Sequence, residues 1–166
     1  MKTKLNENKI KMFNKVVVGG TFNTLHKGHR EILKTAFKVG KSAVIGLTSD
    51  EFANRFRFSK TLEYKKRKEN LINFIENIEN FNKEYSIIEI NDSYGIATID
   101  PEIDCIVVSE ETLLRAEEIN VIRFKKSLPK LTFVVVPIIL ADDGKALSGD
   151  RILRGDIDLE GKICRI

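Results

Sequence analysis

The chemistry of this chain is concentrated in one segment, Gly19-Gly20-Thr21-Phe22-Asn23-Thr24-Leu25-His26-Lys27-Gly28-His29. Glycines there leave main-chain amides open to a ligand, because no Cβ stands in the way. Imidazoles donate hydrogen bonds when neutral and carry charge when protonated, with the change falling near physiological pH. His26 and His29 are the only histidines of the sequence, and they sit three residues apart around Gly28. Amides and imidazoles that converge in this way suit a phosphate group and the negative charge that spreads over it during reaction. A His-x-x-His pair can also hold a metal, but such sites usually need a third protein ligand, and no Cys or Asp stands at a convincing spacing nearby. No protein metal ligand is therefore assigned.

Such a loop works only if its flanks hold it. Lys15-Val16-Val17-Val18 is a short β-branched run that suits a strand buried on both faces of a parallel sheet. After Gly28, the apolar residues Ile32, Leu33, Ala36 and Phe37 recur at helical spacing. Strand, glycine loop and helix follow in order, so the helix amino terminus and its positive dipole end should face a crevice at the carboxyl edge of the sheet.

The rest of the chain repeats the alternation. Strands are expected over 42–47, 85–90, 104–108 and 131–136, with helices over 50–55, 62–80 and 111–126 and a last helix opening near Ser148. Alternation of this kind implies right-handed crossovers. The predicted fold is a single α/β, Rossmann-like domain with a five-stranded parallel sheet and helices on both faces. Residues 1–14, rich in Lys and Asn and without an apolar core, read as a flexible basic tail rather than a secretory signal, and the domain as 15–166.

Composition narrows the classes. With 166 residues, 42% hydrophobic and 31% charged, the chain has the balance of one globular domain. No apolar run reaches the roughly 18 residues of a membrane span, so no membrane partner is expected. A net charge of +4 favours anionic ligands without requiring nucleic acid, which is not expected as a partner. The dense run Lys65-Lys66-Arg67-Lys68 reads first as a solvated helix face. Cys105 and Cys164 form no CxxC, and two reduced thiols suit a cytoplasmic protein.

The histidine segment resembles the T/HxGH signature of the nucleotidyltransferase superfamily, and its surroundings resemble phosphopantetheine adenylyltransferases of the archaeal and eukaryotic type. The likeness includes Gly46-Leu47-Thr48-Ser49-Asp50-Glu51-Phe52, Asn91-Asp92-Ser93-Tyr94-Gly95, and Val107-Val108-Ser109-Glu110-Glu111-Thr112 with Ile119-Asn120 and Arg123. It extends through Ala141-Asp142-Asp143-Gly144-Lys145 and Arg151 to Asp158, covering about 15–161. What it implies is transfer of an adenylyl group from ATP, supplied with Mg2+, to 4'-phosphopantetheine, by a monomer or small homo-oligomer. Two alternatives stay open: an adenylyltransferase for another small phosphate ester, such as nicotinamide or flavin mononucleotide, and a nucleotide-binding regulatory protein with weakened catalysis.

The resemblance also implies roles. His29, with His26 beside it, would hold the nucleotide phosphates and stabilise the transition state. Gly20, Thr21, Phe22, Gly28, Ser109, Glu110, Ser148, Gly149 and Arg151 would complete the ATP site. Thr21, Thr48, Arg67 and Tyr94 would meet the acceptor, with Arg57 and Lys60 as further cations for its phosphate. Ser109 is equally a helix N-cap by residue type, and Asp142-Asp143-Gly144 is by default a turn.

Two departures stand out. Relatives usually carry Ile-Ser-Ser-Thr-Arg-Ile where this chain has Leu147-Ser148-Gly149-Asp150-Arg151-Ile152. Asp150 puts a carboxylate where a neutral donor is usual, and capping the last helix is its expected role, with Arg151 and Arg154 offsetting the charge. Asn23 replaces the usual Asp, which keeps the hydrogen bonding and removes a charge.

Overall fold

Val16, Val17 and Val18 are at most 4% exposed, as a strand covered on both faces requires. They lie in β1 (Phe13–Gly20), the centre of a five-stranded, wholly parallel sheet ordered β3-β2-β1-β4-β5. Its partners are β2 (Gly40–Thr48), β3 (Glu84–Ile90), β4 (Cys105–Ser109) and β5 (Thr132–Val136). The computed structural model describes residues 12–55, 57, 59–79 and 81–164. Of the expected tail, residues 1–11 lie outside these, and its last two residues, Phe13 and Asn14, already belong to β1.

Helices cover both faces. On one, α1 (Lys27–Val39) and α3 (Tyr64–Glu76) bury Leu33, Ala36, Phe37, Leu71 and Ile75 against Val16, Val18 and Ile45. Each fully buried Leu or Ile contributes roughly 1.5–3 kcal/mol. On the other, α4 (Leu113–Lys125) and a 3-10 turn, Gly95–Thr98, bury Ala97, Ala116 and Ile119 against Val17, Val44 and Ile106. Short helices α2 (Asp50–Asn54) and α5 (Gly149–Leu153) complete the order.

Strand order reverses beside β1, because the chain runs outward through β2 to β3 and then returns to β4 on the other side. A crevice opens at the carboxyl ends of β1 and β4, where ligands of open α/β sheets bind.

Helix α3 is shorter than its apolar pattern suggests. The 62–80 expectation fails at its start because the Leu62 N–H donates to Asn23 Oδ1 at 2.7 Å, which holds the approach to the helix in the loop. At its end, Asn77 donates through Nδ2 to Asn73 O at 2.6 Å and closes the helix. The Gly95–Thr98 turn was not expected from sequence. Asp92 Oδ1 accepts from the N–H groups of Tyr94 and Gly95 at 2.8 and 2.6 Å, and Gly95 has φ +48. A Cβ at Gly95 would lie 2.7 Å from Ile90 Cγ2, so both the space and the backbone angle require glycine.

Among the described residues, two arginines are fully buried. Arg123, on α4, donates to the carbonyls of Pro129, Ala97, Asp100 and Ile103 at 2.6 to 3.1 Å. It fastens the loops before β4 and β5 to the helix. Asn120 exchanges two hydrogen bonds with the Leu131 backbone, at 2.7 and 3.0 Å, and positions the start of β5. The Asp142-Asp143-Gly144 segment is a turn, closed by Gly144 N–H to Ala141 O at 2.9 Å.

Candidate active site

The crevice holds a cavity of about 1360 Å³. Typical ligand pockets span roughly 300–1,000 Å³, so there is room for a nucleotide and a second ligand side by side. Gly20, Thr21, Phe22, His26, Gly28, His29, Thr48, Arg57, Tyr94, Ser109, Ser148 and Gly149 all line it.

The histidine loop reaches this position through unusual backbone. Phe22 and Leu25 have φ of +50 and +42, which is uncommon for residues with a Cβ and characteristic of functional loops. The Phe22 ring is buried and meets the His29 ring edge-on, with centroids 5.2 Å apart. A Cβ on Gly20 would come 3.0 Å from that ring, which accounts for the glycine. Phe22 can thus meet a ligand only through its backbone.

His26 is the N-cap of α1. Its Nδ1 accepts the Gly28 N–H at 3.1 Å, which assigns the proton of the neutral ring to Nε2. A Cβ on Gly28 would sit 3.1 Å from the His26 ring, a tight contact to which the ring would have to yield. The Lys27 N–H donates to Leu159 O at 3.0 Å. Two amides expected to face a ligand are therefore satisfied within the protein, and the imidazoles take over that part of the site.

The two imidazoles stack, with centroids 3.9 Å apart and planes inclined by 25°. Burial lowers His26 to about 4, helped by Arg30. Burial lowers His29 to about 3, helped by the charges of His26 and Arg57. Both rings are neutral N–H donors at pH 7 in the ligand-free chain. Among the described residues, His29 Nδ1 and Thr24 Oγ1 are buried without a hydrogen-bond partner, as befits groups of a binding site.

In the unfolded chain both histidines titrate near the usual value of roughly 6.5. The unfolded state binds protons there that the folded state refuses, so stability is fully present above that pH and is lost as pH falls towards 4. Urea midpoints should fall between about pH 7.5 and about pH 5, and fall less in a His26→Asn/His29→Asn double variant. Equal slopes for both proteins would contradict the assignment.

Several expected site residues lie elsewhere. Arg67 is fully buried behind the loop and does not line the cavity, because its guanidinium is taken up by protein acceptors. Arg151 does not line it either, since it pairs with Asp143 at 2.5 Å and donates to Ala146 O at 3.1 Å. Lys60 is exposed and outside the cavity wall. Glu110 accepts the Ile138 N–H at 3.0 Å, while Glu111 and Thr112 line the cavity instead. Ser109 joins Thr112 in a capping box, its N–H donating to Thr112 Oγ1 at 3.1 Å. The cap of α5 is Ser148 and not Asp150, since the helix begins at Gly149 and the Ser148 oxygen accepts from Arg151 N–H at 3.4 Å. Asp150 lies in the first turn and lines the cavity. Asn23 keeps the hydrogen-bonding role expected of it, through Leu62.

Sequence reading missed Arg115 and Glu118. They sit one turn apart on α4, pair at 2.7 Å and meet Tyr94, with the guanidinium 5.1 Å from the ring centroid. Their spacing from Ser109 was the available signal, since α4 runs from that strand end.

A parallel sheet that presents a His-x-Gly-His loop and two cavity walls at its switch point defines a nucleotidyltransferase-type protein. The chain belongs to the cytidylyltransferase-like family, whose model matches residues 17–155. Within it, the chain is similar to a phosphopantetheine adenylyltransferase of Pyrococcus horikoshii, 45% identical over 150 residues, which are 90% of this chain and 94% of that protein. It is 42% identical over 146 residues to a bifunctional phosphopantetheine adenylyltransferase/NTP phosphatase of Thermoplasma volcanium, covering 88% of this chain and 44% of that protein. The chain thus spans less than half the length of that bifunctional relative. Among solved structures, a protein of unknown function from Archaeoglobus fulgidus superposes with a TM-score of 0.66 at 35% identity, over 74% of this chain and 88% of that one.

Proposed function

We propose that the protein transfers the adenylyl group of ATP to 4'-phosphopantetheine, giving dephospho-coenzyme A and pyrophosphate. The observation that carries this reading is the stacked, neutral His26–His29 pair on the wall of a cavity large enough for two ligands. The names borne by the similar adenylyltransferases support phosphopantetheine as the acceptor.

In this reaction a phosphate oxygen of the acceptor attacks the α-phosphorus of ATP in line, the bond to the bridging oxygen breaks, and pyrophosphate leaves. Positioning and preorganised donors suffice for it. His29 donates to the phosphates where charge builds up, His26 holds the loop and supports it, and Thr21 meets the acceptor. Among the described residues no cluster of three or more His, Cys, Asp or Glu is present that would cage a metal. Magnesium, expected to be supplied with ATP, would offset the charge of the phosphates.

The cytoplasm is the proposed setting. Cys105, whose thiol burial pushes up to about 12, and Cys164 are both unpaired, and among the described residues no helix is long and apolar enough to cross a membrane.

Purified protein with ATP, magnesium and a panel of phosphorylated acceptors tests the reading through pyrophosphate release. Release with phosphopantetheine is expected. Release only with another ester contradicts the acceptor, and nucleotide binding without release contradicts transfer.

Asp150 adds a quantitative expectation. Its carboxylate lines the cavity beside Gly149, while of the two arginines expected to offset it Arg151 is committed to Asp143 and Arg154, which lines the cavity, pairs with Asp156. Asp150→Thr should lower the KM for ATP about 3- to 10-fold, as removal of one like charge worth roughly 1 kcal/mol would. An unchanged KM would show that the carboxylate does not sense the phosphates.

A further inference from the structure

Arg67, Thr48 and Thr21 form a chain of hydrogen bonds that leads from the protein interior to the cavity. The Arg67 guanidinium donates to Leu62 O at 2.8 Å, Thr21 O at 3.0 Å, Thr48 Oγ1 at 3.2 Å and Asp50 Oδ1 at 2.9 Å. A guanidinium has donors only, so the direction of each bond is fixed. Thr48 is 6% exposed, and its oxygen also lies 3.2 Å from Thr21 Oγ1. With a pure donor on one side, the Thr48 hydroxyl places its single proton on Thr21. Thr21 Oγ1 then accepts from Thr48, and its own proton is left for the cavity that Thr21 lines.

We propose that Arg67 and Thr48 are positioning residues, a directional relay that fixes the Thr21 hydroxyl as a donor to the phosphate group of the acceptor. Bonds in such a chain polarise one another, so the buried guanidinium strengthens a donor it never brings to the ligand. Arg67 acts on the acceptor through two hydroxyls rather than by contact. This inference rests on the transferase reading.

Five proteins test it: wild type, Thr21→Val, Thr48→Val, Thr48→Ser and the Thr21→Val/Thr48→Val double variant. KM for phosphopantetheine and for ATP, phosphopantetheine Kd by calorimetry, and the urea midpoint are measured for each. Thr48→Val and Thr21→Val should each raise phosphopantetheine KM and Kd about 10-fold or more, the usual effect of losing a hydrogen bond to a charged group, with the ATP KM of Thr48→Val rising much less than its phosphopantetheine KM. Thr48→Ser, which keeps the hydroxyl, recovers most of the loss. The double variant should be no worse than Thr21→Val, because the relay ends at Thr21. Losses that multiply in the double variant overturn the relay. So does a Thr48→Val protein that loses stability but keeps its acceptor KM. If wild type uses a different phosphate ester, the acceptor assignment fails and the same series read with that ester still decides the relay. Wild type that binds no phosphate ester overturns both.

Discussion

His29→Ala is expected to lower turnover about 100- to 1,000-fold while raising the KM for ATP less than about tenfold, the pattern of a donor used mainly in the transition state. The reason lies in the ring's surroundings. Burial beside Phe22 and His26 keeps His29 neutral and fixed, with a pKa of about 3. A neutral, preorganised donor gains most when charge spreads over the phosphate oxygens, and least in the ground state. His29→Asn, which keeps a donor of nearly the same reach, should retain more activity than His29→Ala. The check is steady-state kinetics of pyrophosphate release. Equal losses in turnover and nucleotide affinity would show that the ring serves ground-state binding alone.

Arg123→Met should destabilise the protein by about 4 kcal/mol or more, because four main-chain carbonyls lose their donor together. Removing the donor of a buried group costs roughly 1–3 kcal/mol each time, and methionine restores the volume but none of the bonds. For a chain of this length the loss corresponds to a fall in Tm of roughly 8–16 °C. The carbonyls belong to the turn at Ala97, the approach to β4 and the loop before β5, so the two walls of the cavity should loosen with it. Calorimetric unfolding decides the matter. A Tm within about 2 °C of wild type would show that water replaces the guanidinium at no cost.

The two arginines also mark where sequence reading stops. Arg67 lies in a dense basic run and reads first as a solvated helix face, and Arg123 is marked only by the family likeness, with no local signal of burial. What buries them is distant in sequence: Thr21 and Thr48 for the one, Ala97 and Ile103 for the other. Arg151 follows the same logic, because Asp143 reaches it through a turn whose geometry only the fold supplies. By contrast the five strands and the histidine loop were legible, since β-branched runs, glycines and helical spacing are local signals. Local signals also misled at Leu62, where an apolar stripe continues although Asn23 holds the backbone out of the helix. The Gly95–Thr98 turn hid for a related reason. Its cause is one aspartate oxygen shared by two amides, a contact without periodicity.

Because the chain has only two histidines, their ring nitrogens can be followed individually by 15N NMR while Mg2+ and a non-hydrolysable ATP analogue are titrated in. Both imidazoles should shift with a single saturation curve, and the pKa of His29 should rise from its low ligand-free value as the polyphosphate settles against it. Rings that stay unmoved while the analogue saturates the protein would place the nucleotide elsewhere and contradict the role assigned to the pair.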